Sequence, residues 1–364
     1  MNHPALTATA LALLLACGSA SAQTTFPEVE PNNTKTTATP ITGVAPGDTI
    51  TGSSTGSSTT TAGNTSADYF LVRTAPMPLN IYRYRLVSTS AANFPTTIRG
   101  ITVTNCIPNP GSDSAQQNAT SLSTPPRMFQ WYGFGREEQL YFRVTGTSST
   151  TQPYGWTLAR DVVTPLDAPG VLSPGPITIN AAEGNTTDLD MAVYSDTLEP
   201  VPGFSNGGNN TLTRTFTAGT YYLAISRRSL ANDQPCPDDD TSRIAGAMDF
   251  PNVVVAFSNI APTDVSVRFS SSGNTFNVPA TAPGAFDIVW VRFTVGSAPT
   301  CGTSDFNGDT DFGTDADIEA FFGCLAGNCC STCWPGGSDF NGDGDSGTDQ
   351  DIEAFFRVLA GGTC

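Results

Sequence analysis

Apolar and polar residues alternate in short runs over most of the chain, and the period is two. Tyr69-Phe70-Leu71-Val72, Ile81 to Val87 and Leu140 to Val144 carry this pattern, each bounded by Gly, Pro, Ser or Thr clusters. Antiparallel strands with one buried face read this way. The pattern returns in Leu212 to Phe216, Tyr221 to Ile225, Asn252 to Phe257, Val265 to Phe269 and Asp287 to Val295. Between the two stretches, Asp161 to Pro176 is proline-rich and reads as a connector. The expected fold is mainly β: two antiparallel, jelly-roll-like β-sandwich domains over 23–160 and 177–297, joined by a linker over 161–176.

A helical period first appears near residue 314, inside a duplication. Ser304 to Gly327 and Ser338 to Gly361 align at an offset of 34 residues, an internal repeat that chance does not produce. Thr314 and Thr348 suit N-caps, with Asp317 and Asp351 three residues on. Ile318, Phe321, Phe322 and Leu325 fall at i, i+3, i+4 and i+7, matched by Ile352, Phe355, Phe356 and Leu359. Each helix thus offers one apolar stripe, and two facing stripes make a small shared core. Residues 298–364 are expected to form this small helical module.

Charge explains what precedes each helix. The chain carries a net −17, and 12 of its 33 acidic residues lie between Asp305 and Glu353, with only Arg357 near to offset them. Such a density is unfavourable in a compact fold unless a cation neutralises it. Asp305, Asn307, Asp309 and Asp311 alternate along one loop, and Asp339, Asn341, Asp343 and Asp345 along its copy. Calcium takes six to eight oxygens at about 2.3–2.6 Å, and such loops supply them at positions 1, 3, 5 and 7. Copy two has Gly344 at the tight position-6 turn and copy one has Thr310, so the first loop is expected to be the more strained.

Composition closes off several classes. A chain this acidic, with Lys35 as its single lysine, repels a phosphate backbone, which excludes nucleic acid. Leu6 to Ala16 followed by Ala20-Ser21-Ala22 reads as a signal peptide over 1–22, with a lipoprotein box at Cys17 as the minority alternative. No stretch reaches the roughly 18 apolar residues of a membrane span. His3, the only histidine, leaves with the signal, so no Ser-His-Asp triad, Cys-His pair or histidine zinc site is expected. Eight cysteines remain: Cys106, Cys236, Cys301, Cys324, Cys329, Cys330, Cys333 and Cys364. An even number in an exported chain implies disulfides.

The tail repeat resembles a dockerin, the paired calcium-loop module that binds cohesin domains, over about 60 of the 364 residues. The resemblance implies two Ca2+ ions and a cohesin-like or cell-envelope partner. Two departures stand out. The usual closing Asp is replaced by Ala316 and Gln350, so the loop reads one residue longer and closes on Asp317 and Asp351, with Asp315 and Asp349 as alternates. Dockerins are also cysteine-poor; here the repeat suggests Cys301–Cys330, Cys333–Cys364 and Cys324–Cys329, one of several connectivities open to six cysteines. Cys330-Ser331-Thr332-Cys333 also has the spacing of a redox or zinc motif, the less favoured reading.

Glu28-Val29-Glu30-Pro31-Asn32-Asn33, followed by Asp68-Tyr69-Phe70, resembles the bacterial pre-peptidase C-terminal domain, a β-sandwich appended to secreted enzymes. That resemblance implies a second kind of calcium site at Glu28, Glu30, Asn32, Asn33 and Asp68. Asp188 to Tyr194 and Ala218 to Leu223 resemble later strands of the same family. Its recurrent role is binding or spacing, so no catalytic residue is expected. Asp188 and Asp190 as a carboxylate pair, and Trp131, Tyr132, Phe134 and Trp156 as a sugar platform, are weaker readings than turns and core. The expected protein is a secreted, non-catalytic, calcium-binding structural or adhesive protein anchored through its C-terminal module. The alternatives are a calcium-stabilised carbohydrate- or protein-binding module and, less favoured, an envelope hydrolase.

Overall fold

The computed structural model describes residues 23–362 except 57–65, 121–126, 149, 184–188, 206–209, 228–229, 235–245, 258–262, 273, 283–284, 297–300 and 344. The signal peptide, Cys17, Asp188, Cys236, Gly344 and Cys364 therefore lie outside the described residues. The chain is mainly β, with two short helices at its C-terminal end.

Ten strands build the first sandwich: β1 (Thr25–Pro27), β2 (Thr39–Val44), β3 (Thr49–Ser54), β4 (Ala67–Thr74), β5 (Tyr82–Ser88), β6 (Thr96–Thr104), β7 (Ile107–Asn118), β8 (Met128–Gly133), β9 (Gln139–Thr145) and β10 (Gln152–Val162). They form two five-stranded sheets, ordered β1-β3-β10-β5-β8 and β2-β4-β9-β6-β7. The alternation works as expected in β9, where Leu140, Phe142 and Val144 point inward between outward-facing neighbours. Both sheets face one apolar core, with Trp131, Trp156, Phe129 and Phe142 at its centre. Each of these side chains adds about 1.5–3 kcal/mol by leaving water. The sugar-platform reading fails here: Trp131, Tyr132, Phe134 and Trp156 are all buried. Most of β7 is exposed and polar, so no apolar alternation announced it. It is held by a hairpin in which Asn105 and Cys106 both take positive φ, the geometry of a two-residue turn that matches strand twist.

The second sandwich pairs a sheet of β11 (Leu166–Leu172), β13 (Leu189–Ser195), β14 (Pro200–Ser205), β16 (Gly219–Arg227) and β21 (Val289–Val295) with one of β12 (Gly175–Glu183), β15 (Thr211–Phe216), β19 (Thr263–Ser270) and β20 (Thr275–Ala282). Three pairs depart from the antiparallel expectation: β1 with β3, β2 with β4 and β11 with β21 run parallel. The linker expectation also needs correction. Within 161–176, Leu166–Leu172 is an edge strand, irregular between Asp167 and Val171 where Pro169 and Gly170 interrupt the pairing. The prolines that suggested a connector are tolerated because an edge strand leaves one side unpaired.

The sandwiches are not independent. β17 (Leu230–Ala231) and β18 (Val255–Ala256) form a small ribbon, all that the expected Asn252 to Phe257 strand yields. Met248, Val253 and Val255 nevertheless pack into the core of the first sandwich. Tyr132 forms a β-bridge with Val254, and Ile101 with Ala247. A separate apolar cluster sets Ile81, Tyr132 and Phe134 against Tyr194, Leu198, Ile288 and Trp290. Arg83 reaches across to Asp287 at 3.1 Å.

In the tail, α1 (Asp315–Leu325) and α2 (Asp349–Leu359) each begin at a threonine cap with the expected capping box. Phe321 and Phe355 are fully buried, whereas Phe322 and Phe356 are 43% and 45% exposed, so the apolar stripe is narrower than its sequence suggests. The missing wall comes from Phe306 and Phe340, the second residues of the two acidic loops, both fully buried. No helix among the described residues is long and apolar enough to cross a membrane.

Candidate metal centres

Three groups of carboxylates converge among the described residues, each with ligand oxygens within 4.8 Å of one another: Asp305, Asp309 and Asp317; Asp339, Asp343 and Asp351; Glu28, Glu30 and Asp68. The first two occupy equivalent places in the repeats.

The first loop is built by short side-chain-to-backbone bonds. Asn307 Oδ1 accepts from the Asp309 amide at 2.9 Å, Asp309 Oδ1 from the Asp311 amide at 2.9 Å, and Asp305 Oδ2 from the Thr310 amide at 3.1 Å. This curls the chain so that the carboxylates of positions 1 and 5 face one point, with Asn307 bonded to Asp309 through both its side-chain oxygen and nitrogen. Thr310 takes φ +76°, a left-handed conformation unfavourable for a residue with a Cβ. Asp317 then closes the loop from the first turn of α1. Its Oδ1 accepts from the amides of Phe306 and Asn307 at 2.8 and 3.2 Å, and its Oδ2 from the Thr314 amide and hydroxyl at 2.8 and 3.0 Å. Burial pushes this carboxyl up, but those hydrogen bonds outweigh it and hold it below the ordinary carboxylate value. Asp315 is exposed and Asp317 lies with Asp305 and Asp309, which fits the longer loop.

The second loop repeats the plan. Asn341 Oδ1 accepts from Asp343, Asp343 Oδ1 from Asp345, and Asp351 from the Asn341 and Thr348 amides. The Asp351 carboxyl is likewise held low, burial being outweighed by its donors. The side chains of Asp311 and Asp345 do not join the convergent groups; their amides serve the loop instead.

The third group sits where the N-terminal segment crosses β3 and β4. Glu28 Oε1 accepts from the Ser53 amide at 2.7 Å and Glu28 Oε2 from the Tyr154 hydroxyl at 3.0 Å. Ser66 donates to Asp68 Oδ1 at 2.7 Å. Asp68 and Asn32 are fully buried, and Asp68 Oδ2 and Asn32 Oδ1 have no hydrogen-bond partner. Burial, reinforced by the charges of Glu28 and Glu30, pushes the Asp68 carboxyl up to about 6 against the Ser66 hydrogen bond. Asn33 lies at the edge, its Oδ1 3.4 Å from the Ala67 amide. Tyr154 and Ser53 were missed by sequence reasoning, because sheet pairing of β10 with β3 is what brings them beside Glu28. Ser66, two residues from Asp68, was missed because its neighbourhood in sequence gave it no sign of a role.

The donors fit a hard cation. All are oxygens, each set lacks a nearby basic side chain among the interactions described, and buried acceptors remain open: Asp305 Oδ1 in the first loop and Asp68 Oδ2 and Asn32 Oδ1 in the third group. A buried carboxylate oxygen without a donor is unfavourable by about 1–3 kcal/mol or more, which a cation would relieve.

Other candidates resolve differently. Asp190 is buried and accepts from the Leu230 amide at 2.7 Å, a structural role. The cysteine pairing needs correction: Cys324–Cys329 forms as expected, but Cys330 bonds to Cys333, which rules out both Cys301–Cys330 and Cys333–Cys364. The reason is local, since a turn brings Cys330 and Cys333 to a Cα separation of 5.1 Å. Cys106 and Cys301 are also disulfide-bonded. No protein-family model matches the chain, and no curated protein matches it either.

Proposed function

We propose that this is a secreted, non-catalytic, calcium-binding structural or adhesive protein that attaches through its C-terminal module to a cohesin-like or cell-envelope partner. The observation that carries it is the duplicated loop, in which carboxylates from positions 1 and 5 and from the following helix converge within 4.8 Å twice over. Oxygen-only donors in a flexible loop favour Ca2+ over a transition metal. On this reading two ions sit in the tail and a third at Glu28, Glu30, Asn32 and Asp68. Disulfides and the signal-like N-terminus support export. Docking rests on the dockerin resemblance of the repeat, and the sandwiches act as spacers facing outward.

The test is capture by the full mature chain of a purified cohesin domain, with calcium and with EDTA. Binding only with calcium supports the reading; no binding in either condition removes the cohesin partner. A second reading, a calcium-stabilised ligand-binding module, is favoured by one feature: a cavity of about 870 Å3 at one end of the second sandwich, lined by Leu166, Val265, Pro279, Ile288 and Trp290. Its largely apolar lining suits an apolar ligand better than a sugar.

A further inference from the structure

The segment leading into each repeat crosses to the other repeat's acidic loop. Trp334, directly after Cys333, donates its amide to the Phe306 carbonyl at 2.9 Å, and Gly302, directly after Cys301, donates to the Phe340 carbonyl at 3.0 Å. Phe306 lies between Asp305 and Asn307, and Phe340 between Asp339 and Asn341. Each leader therefore holds the carbonyl flanked by the first two oxygen donors of its loop.

The second leader is closed by the Cys330–Cys333 bridge, with the Cys333 amide donating to the Cys330 carbonyl at 3.3 Å. Inside this turn the Thr332 carbonyl lies against the loop so closely that a Cβ on Gly308 would come within 2.8 Å of it. The bridged turn thus backs the first loop at two points, behind position 2 and behind position 4. The Cys324–Cys329 bridge, by contrast, ties the end of α1 to the chain that follows it.

We propose that the Cys330–Cys333 disulfide is a positioning element of the first carboxylate group. It fixes the turn that keeps Asp305, Asn307 and Asp309 in register, so that the cation affinity of that loop depends on the thiol state of these two cysteines. The inference rests on the calcium reading above. Groups that orient metal ligands from behind typically change metal affinity by about 10- to 100-fold when removed, and a turn touching the loop at two points belongs with them.

The experiment is calcium titration calorimetry on the full mature chain in a background where the other groups are silenced by Asp339→Asn, Asp343→Asn, Glu28→Gln and Asp68→Asn. If that background binds no calcium, the calcium reading itself fails. If it binds, Cys330→Ser/Cys333→Ser is expected to raise the dissociation constant about tenfold or more, while Cys324→Ser/Cys329→Ser shifts it less than about threefold. Equal effects of the two pairs, or none from the first, overturn the proposal. Should the first variant not fold, the same comparison uses the unsubstituted cysteines. Tris(2-carboxyethyl)phosphine and water convert the bridge, reached from the exposed Cys330 side, to two thiols and a phosphine oxide, and alkylation mapping identifies the species. Unchanged affinity in chains reduced only at Cys330 and Cys333 overturns it equally.

Discussion

Phe321 and Phe355, equivalent residues of the two repeats, stack with ring centroids 4.1 Å apart and planes inclined by 20°. Phe306 meets both edge-on, at 5.4 and 5.9 Å, and Phe340 does the same at 5.7 and 5.1 Å. The module's core is therefore centred on four phenylalanines, two from helices and two from the loops that carry the carboxylates, with Cys324, Cys333 and Ala354 beside them. Phe355→Ala should destabilise the module by about 3–5 kcal/mol. In a unit this small that is enough to unfold it without metal. Calorimetry of the full chain would show the tail's transition lowered or lost; an unmoved transition would mean the stack contributes little.

Metal removal should act on the same transition. Native mass spectrometry of the calcium-loaded chain is expected to count three ions, falling to two in Asp305→Asn and to two in Asp68→Asn. EDTA should lower the melting of the tail, because binding energy in such loops is also folding energy. A count that is the same in wild type and Asp305→Asn would remove the first loop from the metal sites.

The pH dependence has two opposite signs. Asp317 and Asp351 are held below the ordinary carboxylate value in the folded chain. Their contribution is present above that value and is lost as pH falls through the depressed one. Acid melting of the tail should therefore begin below about pH 4. Asp68 is raised from 3.8 to about 6. Its protonated form is favoured by folding, so that contribution is full below pH 3.8 and is lost as pH rises through about 6. In EDTA, the first sandwich should melt lower at pH 7 than at pH 5, and Asp68→Asn should flatten this difference.

The disulfides offer a direct check. Peptide mapping of the unreduced protein should recover Cys324 joined to Cys329 and Cys330 joined to Cys333. A Cys301–Cys330 peptide would contradict the turn that backs the first loop.

Separating the sandwiches should fail. A fragment ending at residue 160 keeps Ile81, Tyr132 and Phe134 but loses Met248, Val253 and Val255 from its core and Trp290 and Tyr194 from its flank. It is expected to be insoluble or to melt well below the intact chain, as size-exclusion chromatography and circular dichroism would show. A soluble fragment melting like the whole would mean the shared cluster adds little.

Sequence alone determined what local chemistry can encode. Period-two alternation marked β4, β5, β9, β15, β16, β19 and β21, because each side chain's face depends only on its position in the pleat. The 34-residue duplication, the threonine caps and the Asp/Asn spacing laid out both acidic loops, because the carboxylates that converge in each lie on one short stretch of chain running from the loop into the following helix. Tertiary structure alone decided the rest. A pattern says that Tyr132 and Val253 are buried but not against what, and both lie where one sandwich meets the other. Strand β7 is polar and exposed, so only its pairing partner reveals it. Phe306 and Phe340 looked like loop residues until the fold placed them opposite the helices. Cys330 chose Cys333 over its repeat-related candidates because closure through a short turn depends on distance in space, which a repeat offset does not measure.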